Sequence, residues 1–247
     1  MAISGGKTVG QLALEDPAVI PVFENLGIDY CCGGSKSLSE ACAAANVSLD
    51  KLLLALEQGQ TPESDSKDKD WQREPLFGLI AHIVEKHHYY VRRELVHLDG
   101  LFTKTCSAHG DRHPEVLRMA NLFRELSREL LLHMAKEEQV LFPHITAMEE
   151  RLTRNEPPSP PHFYTPCAVQ VMMREHESAG SLLQQIRAVS CNYRVPADAC
   201  TTWKVLYELL QEFERDLHRH IHLENNVLFP RTLEMERAAL QRSPVAD

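Results

Sequence analysis

The stretch His133–Pro143 reads HMAKEEQVLFP, and His220–Pro230 reads HIHLENNVLFP. The shared pattern is H-x-x-x-E-x-x-V-L-F-P, and every matched position is offset by 87 residues. A histidine and a glutamate four apart share one face of a helix, about one turn apart. Upstream of the two copies, His88 and His176 are offset by 88. Each half therefore reads as a helical hairpin, with a lone His on its first helix and a His/Glu pair on its second. Two such hairpins packed about a pseudo-twofold axis would bring six side chains to one level of a core.

The flanking sequence supports long helices. The first opens at Pro75, with the face Ala81, Val84, His88, Val91, Leu95. The second opens near Pro114, with Leu122, Leu126, Leu130, His133, Glu137, Val140. The third follows Pro166, with Val169, Met172, His176, Leu183, and the fourth opens near Thr201, with Phe213, Leu217, His220, Glu224, Val227. Proline suits a first helical turn, and four such segments predict an all-α protein built on a four-helix bundle. The bundle is expected over residues 73–240, with an irregular, proline-rich connection at 153–166. A polar linker, TPESDSKDKD, covers 61–70 and is bounded at 61–72. Residues 1–60 read as a small helical domain interrupted at Gly33–Gly34.

The chain of 247 residues is 43% hydrophobic and 25% charged, with a formal net charge of −9, which excludes a disordered or collagenous class. The acidic balance argues against a nucleic-acid partner. No apolar run approaches the roughly 20 residues of a bilayer span. The N-terminus has no apolar core of an export signal, and seven cysteines cannot all pair within one chain, so reduced thiols in a cytoplasm are expected.

A carboxylate on an apolar stripe is costly unless it is paired or binds metal. One H-x-x-x-E could be a satisfied core hydrogen bond. Two in register, each preceded by a core-face His, point to a metal site. Imidazole and carboxylate without thiolate suit iron, manganese or zinc. The facing acids Glu137 and Glu224 are natural bridges between two cations. Glu-x-x-His occurs at Glu85…His88 and Glu94…His97, both on the first helix, so no second helix carries a copy; this rejects a ferritin-like pair, and HExxH is absent. The turn HGDRHP offers His109 and His113 as a further imidazole, and chemistry alone prefers neither.

Adjacent Cys31 and Cys32 do not readily form an ordinary disulfide, because their side chains diverge. Two thiols alone supply too few ligands for a metal. Cys42, Cys106, Cys167, Cys191 and Cys200 read as small buried apolar residues. His218 and His222 flank the His220 stripe and read as a solvated face. Glu138, Asn225 and Asn226 either orient imidazoles or face solvent.

The set Asp29-Tyr30-Cys31-Cys32-Gly33-Gly34, Ala199-Cys200-Thr201-Thr202-Trp203-Lys204, Glu175-His176-Glu177 and the two H-x-x-x-E…LFP segments resembles the RIC (repair of iron centres) family. The resemblance implies a hemerythrin-like four-helix bundle with an N-terminal ScdA-type domain. It implies a non-haem di-iron centre with two irons bridged by Glu137 and Glu224. Its ligands map onto His88, His109, His133, Glu137, His176, His220 and Glu224, favouring His109 over His113. It gives Cys31 and Cys32 a functional role as exposed thiols in redox chemistry, nitrosation or iron transfer. It further implies repair of iron–sulfur proteins damaged by nitrosative or oxidative stress, nitric oxide, dioxygen or peroxide as small ligands, and a homodimer. The alternative function is binding, scavenging or reduction of nitric oxide to N2O at the same centre.

Overall fold

Thr8 and Ser37 each start a helix by reciprocal capping. The Thr8 hydroxyl accepts from the Gln11 N–H at 3.2 Å while Gln11 Oε1 accepts from the Thr8 N–H at 3.0 Å. Ser37 and Glu40 do the same at 3.3 and 2.8 Å. In this way α1 (Val9–Glu15) and α3 (Leu38–Ala44) satisfy N–H groups that a helix start would leave bare. Between them α2 (Ile20–Leu26) ends at Gly27, whose φ of 69° is the left-handed cap a glycine adopts freely. α4 (Leu49–Gln58) completes the group. Leu12, Phe23, Tyr30 and Leu52 form its core.

The computed structural model describes residues 7–58, 69–156 and 165–242. The linker expected at 61–72 lies mostly outside them, as does much of the proline-rich connection. Among the described residues the chain is all-α, with no strand. They fall into two compact units. One runs to Pro75 and also takes in His218–Arg231; the other holds Leu76–Leu217 and the residues from Thr232. A cut at the linker, with a bundle over 73–240, does not foresee that His218–Arg231 belongs with the first unit.

In the second unit α5 (Leu76–His82) and α6 (Tyr89–His109) form one arm, joined by a π-helical turn at Ile83–His88. α7 (Pro114–Lys136) and α8 (Phe142–Thr153) are joined likewise through Glu137–Leu141. α9 (Thr165–Val189) and α10 (Thr201–Leu223) follow. The end of α10 lies in the stretch His218–Arg231 of the first unit, where a third π turn, Glu224–Leu228, leads into α11 (Phe229–Arg242). Phe102, Phe123 and Phe213 fill the core, with ring centroids 5.2 Å apart for the first pair and 6.0 Å for the second.

The π turns explain where the 3.6-residue reading of the apolar stripes fails. An i→i+5 turn inserts one residue and rotates the following face by about 100°. On the first arm Ala81 is exposed and Val84 half-buried, while Ile80 and Ile83 are buried upstream of His88. On the second, Val140 is 50% exposed, and Leu141 and Phe142 turn inward instead. α9 carries no π turn, and its expected face is buried throughout.

Two stability predictions follow from these contacts. The Glu149 carboxylate accepts the N–H groups of Leu76 at 2.7 Å and Phe77 at 2.9 Å, capping α5 from 72–73 residues away. Glu149→Ala should cost about 1 kcal/mol, read as a lower thermal midpoint. A Cβ on Gly34 would stand 2.3 Å from Asn226 Oδ1 and 2.9 Å from the Tyr30 carbonyl, whereas one on Gly27 meets nothing within 4 Å. In melts, Gly27→Ala should cost about 1 kcal/mol for its left-handed backbone, and Gly34→Ala clearly more, up to about 3 kcal/mol, through overpacking. Equal losses would contradict the close approach.

Candidate metal centre

Glu137 begins the π turn of the second arm and is fully enclosed, at 0% exposure. Its two oxygens face opposite imidazoles. Oε2 lies 3.4 Å from His88 Nε2, and Oε1 lies 3.3 Å from His133 Nε2. His176, from the middle of α9, places its Nε2 2.9 Å from that of His133. The nearest ligand atoms of Glu137, His133 and His176 fall within 4.8 Å of one another, and those of Glu137 and His88 do so too. One carboxylate thus serves two groups of imidazoles within a dry interior.

Outer carboxylates fix which nitrogen faces inward. His88 Nδ1–H donates to Glu138 Oε1 at 2.6 Å, and Arg92 Nη1 donates to the same oxygen at 2.8 Å. His133 Nδ1–H donates to Glu175 Oε2 at 2.9 Å, while Lys136 holds the other Glu175 oxygen. An ionised carboxylate only accepts, so in each imidazole Nδ1 carries the proton and Nε2 keeps its lone pair. That is the tautomer a metal-bound histidine with an orienting acid adopts. The His133 hydrogen bond, with help from Lys136, holds the Glu175 carboxyl down at about 2. Burial opposes ionisation of Glu138, but the bonds from Arg92 and His88 outweigh it and lower its pKa. The His88 ring also stacks on Phe142, the Phe of the LFP motif, at 5.8 Å between centroids.

The first unit contains the matching pair. His220 Nε2 lies 3.0 Å from Glu224 Oε1, with His220 at 1% and Glu224 at 0% exposure. Glu224 begins its π turn as Glu137 begins the other. Both turns close with a five-residue hydrogen bond, Phe142 N–H to the Glu137 carbonyl and Phe229 N–H to the Glu224 carbonyl.

His88 and His133 offer inward lone pairs, and the Glu137 and Glu224 carboxylates are shut off from water. This donor set of nitrogen and oxygen fits iron, and a buried acid without a cation beside it would be costly.

His109 is not brought to this group. α6 runs unbroken from Tyr89 to His109, so 21 residues at 1.5 Å rise carry it about 30 Å from His88. There it packs on Trp203 and His113, at 5.0 and 6.2 Å between ring centroids. His113 bonds Glu115 at 2.7 Å and Asp198 at 3.1 Å. The turn therefore supplies no ligand to Glu137, because a continuous helix cannot fold back over its own length.

Other expectations change as well. His222 is buried at 4%, not solvated, with Nδ1 3.4 Å from the Tyr30 carbonyl, and burial holds its pKa down at about 4. Asn225 is buried and Asn226 half-buried; both bond the carbonyls of the cysteine loop, and Asn226 Nδ2 also donates to His222 Nδ1 at 3.0 Å. Cys31 is buried and Cys32 half-buried, so the thiols are less open than expected. Cys42 is buried, but Cys167, Cys191 and Cys200 are exposed at helix ends and turns, where no core reaches them. Sequence reasoning missed the roles of Glu175 and of the His87–Asp216 pair at 3.0 Å. An acid directly before His176 was the available signal for Glu175.

Residues 5–60 match a family described as a domain of unknown function, ScdA_N (DUF542). Residues 79–232 match the hemerythrin HHE cation binding domain. Among curated proteins, the chain is 35% identical over 227 residues to the "Probable iron-sulfur cluster repair protein" of Haemophilus influenzae, covering 92% of this chain and 96% of that one. It is 38% identical over 231 residues to "Iron-sulfur cluster repair protein YtfE" of Salmonella paratyphi B and of Salmonella newport, covering 93% of this chain and 98% of each relative. Buried His/Glu clusters able to hold a metal, a cation-binding domain over more than half the length and relatives matched almost end to end agree: the chain belongs to the hemerythrin HHE cation-binding family.

Proposed function

We propose that this protein is a di-iron protein that repairs iron–sulfur clusters damaged by nitrosative or oxidative stress, acting as an iron donor. The observation that carries the reading is the enclosed Glu137 carboxylate, with one oxygen toward His88 and the other toward His133 and His176. The repeat supplies His220 and Glu224 as its counterpart. In this reading the six residues hold two irons between them, Glu137 and Glu224 serve as bridges, and His109 is not a ligand. The names of the curated relatives support the repair role. A homodimer, and nitric oxide, dioxygen or peroxide as small ligands, rest on the resemblance, and a cytoplasmic setting on the reading of reduced thiols.

The bound irons supply redox change and ligand exchange. The protein's own part is to present the donors and to exclude water. His88 and His133 are held with Nε2 inward by Glu138 and Glu175, so little rearrangement is needed to bind. Glu137 and Glu224 would hold the irons from π turns, a distortion of the helix found frequently at functional sites.

Iron-loaded protein should restore activity to a nitric-oxide-damaged [4Fe–4S] enzyme under anaerobic conditions. Metal-free protein, and the double variant Glu137→Leu/Glu224→Leu, should not. Equal recovery with metal-free protein would overturn the iron-donor role, and catalytic N2O from the iron-loaded protein with nitric oxide would replace it with nitric oxide reduction. A further variant tests the orienting acids. Glu175→Gln keeps the shape but removes the charge that fixes the His133 tautomer. Iron affinity in a chelator competition should fall about 10- to 100-fold, with helix content unchanged by circular dichroism.

A further inference from the structure

The loop Asp29–Gly34, DYCCGG, carries chemistry that the imidazole–carboxylate group does not use. Asp29 Oδ1 accepts the N–H groups of Cys31 at 3.2 Å and Cys32 at 2.9 Å. The Cys31 thiol donates to the same oxygen at 3.3 Å, and the two sulfurs lie 4.0 Å apart. A carboxylate oxygen and two sulfurs from three residues thus fall within 4.8 Å of one another. Neighbouring side chains ordinarily diverge along a chain. Here the carboxylate winds the loop tightly enough to turn both sulfurs to one side.

The rest of the first unit fixes that conformation. A Cβ on Gly33 would meet the Asp29 carbonyl at 2.9 Å, so the turn needs a glycine there. The Tyr30 and Cys31 carbonyls each accept from Asn226 Nδ2 at 3.3 Å, and Asn225 Nδ2 donates to the Cys31 carbonyl at 3.4 Å. A purely structural aspartate turn accounts for the two N–H bonds to Asp29. It does not account for two thiols gathered beside the same carboxylate, one buried and one half-open to solvent.

We propose that Asp29, Cys31 and Cys32 form a binding site for a thiophilic divalent cation of the zinc group. Two thiolates and a carboxylate offset a 2+ charge, and sulfur donors select softer metals than the nitrogen and oxygen donors around Glu137. On binding, each thiol loses its proton to solvent and each sulfur forms a bond to the cation, with no change of oxidation state. Half-buried Cys32 leaves a coordination position for water, so the ion can exchange. The Cys32 hydrogen bond and burial push the Cys31 thiol pKa up, so affinity rises with pH. The site needs none of the donors in the proposed di-iron centre, and the two readings stand or fall separately.

Titration of the full-length, reduced, metal-free protein with cadmium chloride tests it. An ultraviolet sulfur-to-cadmium charge-transfer band should grow and saturate at one equivalent. Cys31→Ser/Cys32→Ser should abolish the band, Cys31→Ser alone should leave about half its amplitude, and Asp29→Asn should weaken binding about tenfold. Circular dichroism of each variant establishes that it folds. Absence of the band in the unaltered protein, or its persistence in the double serine variant, would overturn the site.

Discussion

A carboxylate cannot be left charged in a dry interior, and the architecture of the second unit follows from that constraint at Glu137. Its side chain is wholly enclosed. Burying an ion without compensation costs several kcal/mol or more. Neutral imidazoles cannot supply that compensation by themselves; His88 on the first arm, His133 on the second and His176 on α9 face the same space as the acid, so three stretches distant in sequence must meet in one register. The imidazoles are in turn held by Glu138 and Glu175, themselves tied to Arg92 and Lys136 at the surface. The outer acids are therefore charge-balanced, and the inner one is left to a cation-binding role.

The chain reaches this register by leaving the ordinary helix at the points that matter. A π turn stands at each of the three places where a proposed ligand ends or begins the insertion: His88, Glu137 and Glu224. Proline contributes to two of them. Pro143 and Pro230 lack an N–H and crowd the carbonyl four residues back, so the wider hydrogen bond falls just before them. The turn at Ile83–His88 has no proline after it, and proline alone does not account for the pattern.

The first unit shows the same economy of parts. The residues of the Glu224 turn do two jobs. Glu224 pairs with His220, while its neighbours Asn225 and Asn226 clasp the backbone of the cysteine loop. Gly34 exists to admit Asn226, since any side chain there would collide with it. The conformation of the thiol loop and the placement of one buried acid thus depend on a single five-residue turn.

Much of this was legible beforehand. The duplicated H-x-x-x-E…LFP pattern declared two equivalent helices and their inward acids, because spacing of four fixes a common face whatever surrounds it. The all-α class and the family followed from motifs that need no coordinates. What the linear pattern could not hold was phase and distance. A one-residue insertion turned Val140 outward, an unbroken helix carried His109 away from the acid it was expected to join, and Asp29 came to lie beside two thiols only because the backbone curls. Each of these depends on where hydrogen bonds close across turns, and that is decided by packing in three dimensions and not by the order of residues alone.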